Sequence, residues 1–240
     1  MTSCTEEIPR ACAVTQMLSL HVFYRKSGKR YLDLLLSVPG IIALSPLLLV
    51  VMVLVSVTSV GGAFFMQDRT GRFGRKFHIV KFRTMLGGDS RESALITAAN
   101  DSRITVVGRW LRKVKIDELP QLVNVIRGDM SLVGPRPEVP KFTSLYTDQQ
   151  KEVLQVRPGI TGPAAIAFVN EEQLLAGQLD QDAFYRNEIL PAKLALDLAY
   201  CRDFSLTGDL KLIFQSVFRV LLRLRPATSP RRVQRKIYDR

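Results

Sequence analysis

In KIDELPQL, from Lys115 to Leu122, Asp117 and Glu118 stand side by side. Two adjacent carboxylates can supply a nucleophile, a proton acceptor or ligands for a hard divalent cation. The residues near them are cations: Arg112 about one turn earlier, Lys115 beside them, and Arg136 in the stretch GDMSLVGPRPEVP. Pro135, Pro137 and Pro140 hold Arg136 in an extended backbone with little freedom, which suits its planar fork to a phosphate or carboxylate. An acid pair among cations fits attack on an anionic phosphorus centre. At ~4 Å two like charges repel by about 1 kcal/mol in water and about 4 at an effective dielectric near 20, so cations or a metal must offset the approach. A structural alternative stands beside this one. Asp117 can be the N-cap of a helix that carries Pro120 in its first turn and stops at Gly128, and Arg136 can be a solvated loop arginine.

The composition narrows the partners. Thirty-four Lys and Arg against 22 Asp and Glu give a formal charge of +12, which calls for nucleic acid, anionic lipid or a phosphorylated substrate. No helix-turn-helix, zinc finger or aromatic-basic platform supports nucleic acid. Cys4, Cys12 and Cys201 form no CxxC pair, and His21 and His78 are far apart, so neither a zinc site nor a disulfide framework is expected. Glycine-rich phosphate loops of the two common kinds are absent.

The 34 residues from Leu34 to Gln67 carry no formal charge, and up to Val60 they are mostly Leu, Val and Ile. That is longer than the ~20 helical residues a ~30 Å bilayer core requires. Arg25, Lys26, Lys29 and Arg30 precede the segment; Arg69, Arg72, Arg75, Lys76, Lys81 and Arg83 follow it. Cations at both ends favour entry and exit by the same membrane face over a single crossing. Ser45-Pro46 lies near the middle, where proline removes the donor to the carbonyl of Ile42 and Ser45 can satisfy it. A kinked spanning helix is the alternative.

The elements that must position the acids follow. Gly71 and Gly74 with the alternation of Phe77, Ile79, Val80 and Phe82 predict a short hairpin, and Gly87 to Ser102 reads as a loop. Asp101 or Ser102 is expected to cap a helix bearing Val106, Val107, Trp110, Leu111 and Val114. Asp182 to Cys201 reads as a helix interrupted near Pro191, and Asp209 to Leu224 as a helix whose apolar stripe is either core or interfacial. The expected divisions are a flexible leader over 1–24, a basic flank and re-entrant helix over 25–66, a catalytic domain over 67–225 and a basic tail over 226–240.

KFRTM from Lys81, DSRITVVGRWLRKVKIDELPQL from Asp101, GDMSLVGPRP from Gly128 and RPGITG from Arg157 follow the Ser-Pro-broken apolar segment in that order. Together they resemble the bacterial sugar transferases, the small monotopic phosphoglycosyl transferases, over roughly Lys26 to Leu224. The resemblance implies an α+β, mostly α, monotopic membrane protein. Its parts are a re-entrant helix hairpin broken at Ser45 and Pro46, a short β-hairpin and a compact helical catalytic domain with interfacial helices. It further implies transfer of a sugar-1-phosphate from a UDP-sugar to undecaprenyl or another polyprenyl phosphate, with release of UMP. The setting is the cytoplasmic face of a bacterial inner membrane, in lipid-linked glycan biosynthesis such as that of exopolysaccharide, O-antigen or glycoprotein glycans. By the same resemblance Asp117 is the nucleophile that forms a covalent phosphosugar intermediate. Glu118 is its partner, Mg²⁺ rests on Asp117 and Glu118, Arg112 and Arg136 bind phosphate, and Lys81 and Arg83 of KFRTM either bind substrate or brace the fold against the membrane. After RPGITG the chain reads PAAIAFVNEEQLL rather than the Trp-Ala-Gln-Val-Asn-Gly type of many members, so no sugar-recognition residue carries over. The sugar, the glycan pathway and the oligomeric state stay open. Two rivals are a basic membrane-anchored adaptor that binds anionic lipid or nucleic acid, and a metal-dependent hydrolase of nucleotide sugars.

Asp117→Asn is expected to abolish turnover while leaving membrane association intact. Co-sedimentation with vesicles, run beside a UMP-release assay, checks both halves; appreciable transfer by the variant refutes the nucleophile assignment.

Overall fold

A computed structural model describes residues 22–59, 61–86 and 101–222, with side chains as far as 219. The predicted tail, most of the leader and the loop over 87–100 lie outside the described residues. A π turn, Tyr24–Gly28, leads into helix α1, Lys29–Thr58. This helix runs unbroken through Ser45-Pro46, where Ser45 Oγ donates to the Ile42 carbonyl at 2.7 Å, the acceptor that Pro46 leaves without its usual partner. Only 11% of its most apolar 18-residue window is buried, far too little for the core helix of a soluble protein. Its contacts are at the two ends. Asp33 and Ser37 are buried near one end, Val51 and Val55 near the other. The two pairs are 18 residues apart, about five helical turns, so they share one face. Asp33 Oδ1 accepts from Ser131 Oγ and from the Leu132 amide, both at 2.9 Å, whereas Val51 and Val55 pack against Phe82 and Leu111. Both ends of the apolar helix therefore rest on the same globular body.

The hairpin forms as the glycine spacing predicts and begins slightly earlier. Strands β1, Phe64–Thr70, and β2, Lys76–Phe82, are antiparallel, with Phe64 opposite Phe82 and Thr70 opposite Lys76. Helix α2, Val106–Lys113, is capped by Thr105, whose Oγ1 accepts from the Gly108 amide at 2.8 Å. The cap expected from Asp101 or Ser102 is displaced because Asp101 is engaged with Arg103 at 2.6 Å. Next come a 3-10 turn, Ile116–Gln121, and helix α3, Leu122–Arg127, which ends at left-handed Gly128 as its position predicted. The residue that leads into the turn is Lys115, held at φ 57°, so Asp117 lies inside the turn and is not its N-cap.

Two short strands, β3, Ser131–Val133, and β4, Gly159–Thr161, form a parallel pair. Along the chain the short helices α4, Pro140–Thr143, α5, Pro163–Ala167, α6, Glu171–Leu175, and α7, Gln181–Phe184, are interspersed with and follow these strands. The interruption expected near Pro191 appears as a π turn, Tyr185–Ile189, before helix α8, Leu190–Arg202. Helix α9, Leu206–Leu222, completes a mostly helical fold with two small sheets. The main core contains Phe142, Tyr146, Phe168, Leu175, Tyr185 and Ile189. Fully buried Asp209 of α9 accepts from Tyr24 Oη at 2.6 Å and Tyr200 Oη at 2.7 Å and pairs with Lys29, which ties α9 to the start of α1.

At β3 and β4 the backbones touch. The Gly134 amide donates to the Thr161 carbonyl at 2.9 Å and the Gly159 amide to the Pro135 carbonyl at 2.8 Å. A Cβ on Gly159 would lie 2.1 Å from the Gly134 nitrogen, so the GPRP and RPGITG motifs depend on glycine for this approach. Gly159→Ala is expected to destabilise the fold by about 2 kcal/mol, as overpacked cores do. Thermal unfolding in detergent, with wild type alongside, measures the loss.

Candidate active site

Lys81 on β2 and Arg136 in the proline-flanked loop after β3 converge on one oxygen. Glu118 Oε1 lies 2.8 Å from Lys81 Nζ and 3.3 Å from an Arg136 Nη. The strand brings Lys81 to the 3-10 turn, and the glycine contact between β3 and β4 brings Arg136 from 18 residues farther along the chain. A second acid holds the Arg136 backbone: Asp197 Oδ2 on α8 accepts from its amide at 3.2 Å, while Oδ1 accepts from the Ala164 amide at 3.3 Å. Burial pushes the Asp197 carboxyl up to about 7, against those two bonds. The sequence reading missed Asp197, which sits in an apolar helix and shows nothing local that marks it.

The acid pair is split by its surroundings. Burial would raise Glu118, but Lys81, then Arg136 and Lys115, outweigh it and hold the carboxyl well below its usual range. Asp117 shifts the other way. It is 7% exposed, and burial followed by the Glu118 charge raises it above an ordinary aspartate despite Lys81, Lys115 and Arg112. No helix dipole holds Asp117 ionised, because the element is a six-residue 3-10 turn and burial dominates. Asp117 Oδ1 is buried and, among the described residues, has no hydrogen-bond partner. A buried acceptor left bare costs free energy unless something else fills it, which marks this oxygen as one that a ligand would satisfy.

Arg112 borders the same cluster. Its Nε donates to Thr84 Oγ1 at 2.9 Å, and Nη1 reaches Glu172 Oε1 at 3.1 Å. Thr84 itself accepts the Thr105 amide at 3.0 Å, and a Cβ on Gly108 would fall 2.2 Å from the Thr84 carbonyl, so KFRTM packs directly on α2. Arg83 of that motif is elsewhere. Its guanidinium donates to the carbonyls of Gly61, Gly62 and Phe64 at 2.9, 3.1 and 3.0 Å and braces the turn that leaves α1. Ser45 and Pro46 are exposed midway along α1.

Further residues, missed by sequence reasoning, fix the frame. Asn124 in α3 is wholly buried; its Oδ1 accepts the Val80 amide at 3.1 Å and its Nδ2 donates to the His78 carbonyl at 2.8 Å, which binds the acid-bearing segment to the edge of β2. Buried Glu138 takes Lys193 and Tyr185, each at 2.8 Å, directly after the loop of Arg136. Arg69 donates to the Pro137 carbonyl at 3.1 Å. A buried asparagine inside a short helix is the one signal that local sequence offers for any of these.

The sequence profile of the bacterial sugar transferases matches residues 24–223. An exopolysaccharide production protein, ExoY, of Sinorhizobium fredii is 37% identical over 210 residues, 81% of this chain and 86% of that protein. An undecaprenyl-phosphate glucose phosphotransferase of Komagataeibacter xylinus is 39% identical over 80% of this chain, and a UDP-N-acetylgalactosamine-undecaprenyl-phosphate N-acetylgalactosaminephosphotransferase of Aeromonas hydrophila is 36% identical over 80%. The matched region spans 35% and 43% of those two longer proteins. With the profile covering nearly the whole described chain and the acid pair seated among Lys81, Arg112 and Arg136, the chain belongs to the bacterial sugar transferase family.

Proposed function

We propose that this protein moves a sugar-1-phosphate from a UDP-sugar to undecaprenyl phosphate at the cytoplasmic face of a bacterial inner membrane. The observation that carries the reading is the bare, buried Oδ1 of Asp117 beside a Glu118 neutralised by Lys81 and Arg136. An Asp117 oxygen attacks the phosphorus next to the sugar; the bond from that phosphorus to the UMP oxygen breaks, and UMP leaves with the electron pair. A phosphosugar ester of Asp117 results. An oxygen of the lipid phosphate then attacks the same phosphorus, and the Asp117 carboxylate departs regenerated. Two displacements let one phosphate site serve the nucleotide and the lipid in turn. Arg136 and Arg112 bind the phosphate oxygens, and Lys81 holds Glu118 in place.

The residues also fit Mg²⁺. A hard cation is commonly held by one or two carboxylates together with substrate phosphates, and the unpartnered Asp117 oxygen suits that arrangement, with Glu118 as the second carboxylate. When bound, it would neutralise phosphate charge.

Support for a re-entrant anchor comes from α1, whose two ends pack on one globular body while the stretch between them exposes Ile42, Leu47, Leu49 and Val50. A helix held this way does not deliver its ends to opposite faces of a bilayer, and its exposed midpoint around Ser45 and Pro46 then lies deepest. Leu206, Leu210, Phe214, Val217 and Phe218 recur at helical spacing on the exposed side of α9, which suits a second element lying in the interface.

UMP release by nanodisc-held protein, over a panel of UDP-sugars with Mg²⁺, tests the reaction. Lipid-dependent release from one donor is expected. Release beyond one equivalent per protein without undecaprenyl phosphate would point to the hydrolase instead, and none under either condition to the adaptor. Asp117→Asn is expected to unfold no earlier than wild type, since it removes a buried charge that folding disfavours.

A further inference from the structure

Among the described residues Arg112 has one charged partner, Glu172, beside its Thr84 contact and a weak Nη2 contact with Met85 Sδ at 3.5 Å. Its Nε is fixed by Thr84, a residue 7% exposed and itself tied to α2, whereas Nη1 meets Glu172. The two sides of this ion pair differ in exposure. The arginine side chain is 18% exposed and the glutamate 41%, so Glu172 can turn to water while Arg112 stays. The backbone beneath Glu172 is anchored. Leu175, in the same helix, is 1% exposed, and neighbouring Glu171 pairs with buried Lys193 at 3.1 Å. Glu172 therefore sits at a fixed place on the rim of a cationic site with only its side chain free to exchange. This rim belongs to the stretch PAAIAFVNEEQLL, where the chain departs from its family's usual pattern.

We infer that Glu172 is an internal competitor for Arg112. It holds the guanidinium between turnovers, a phosphate of the incoming nucleotide displaces it, and its return weakens the hold on the departing UMP. The inference rests on the phosphate-binding role of Arg112 proposed above. A carboxylate and a phosphate both seek the same planar donors, and with Nε committed to Thr84 a phosphate gripped by both Nη groups competes with Glu172 for Nη1.

The test is the affinity for UDP and for UMP, measured by calorimetry on detergent-held wild type, Glu172→Gln, Arg112→Gln and the double variant. A partly exposed pair of this kind is expected to be worth about a two- to five-fold change. Glu172→Gln is thus expected to bind both nucleotides about two- to five-fold more tightly, and to give no gain once Arg112 is replaced. Unchanged or weaker binding by Glu172→Gln overturns the inference, as does a gain that persists without Arg112, which would be a general charge effect. Glu172→Ala, judged folded by its melting temperature, must behave as Glu172→Gln does. A wild type that binds neither nucleotide overturns the donor assignment and this inference together, whereas binding without the gain overturns this inference alone.

Discussion

An anionic substrate has to be met by an anionic group, and the fold is organised around that conflict. A buried carboxylate must be paired, since an unpaired charge in a low-dielectric site costs several kcal/mol or gives up its ionisation. Glu118 is paired twice, by Lys81 and Arg136, and stays ionised. Asp117, next to it, has no ion-pair partner among the described residues, and burial together with the Glu118 charge lifts its proton affinity. Two chemically similar acids thereby acquire different characters from their neighbours alone. The arrangement stores instability at one atom, the bare oxygen of Asp117, which is where the proposed bond forms.

Keeping those cations in place requires rigid support, and the support comes from backbone rather than from a large apolar core. Gly134 and Gly159 let two strands meet at backbone distance, so the loop bearing Arg136 is set by β4, and Asp197 clamps its amide from α8. Gly108 does the same for KFRTM against α2. The segment that follows the acids is held at its far end as well. Arg30 donates to the carbonyls of Val125 and Ile126 at 2.5 and 2.8 Å, and Arg157 to that of Gly128 at 2.8 Å, all near the negative end of α3.

Arg30 belongs to the apolar helix, which makes that helix part of the scaffold around the acid pair. Asp33, one turn on, binds β3. Through these two residues α1 touches both α3, which follows the acid pair, and β3, which precedes Arg136, and each contact is direct. Arg83 closes the other end by gathering three carbonyls of the turn that leaves α1. The two ends of the helix thus frame the site from both sides.

Much of this was legible in the sequence because it depends on local pattern. The charge-free run, the glycine-marked hairpin, the stop at Gly128 and the ordered motifs are all properties of neighbouring residues, and the family follows from those motifs. Ser45 beside Pro46 likewise announced which carbonyl it would satisfy. What the sequence left undecided lies in contacts between distant segments. Whether Lys81 or Arg83 reaches the acids depends on where along the extended chain the 3-10 turn crosses, since residues two apart share a side, and Thr105 rather than Asp101 caps α2 because Arg103 engages Asp101. The Glu118 cations come from 37 residues before it and 18 after, Asp197 from 61 beyond Arg136, and Glu172 from 60 beyond Arg112. Spacing along a chain says nothing about such pairs. Charge, burial and backbone approach decide them together, and those exist only once the chain has folded.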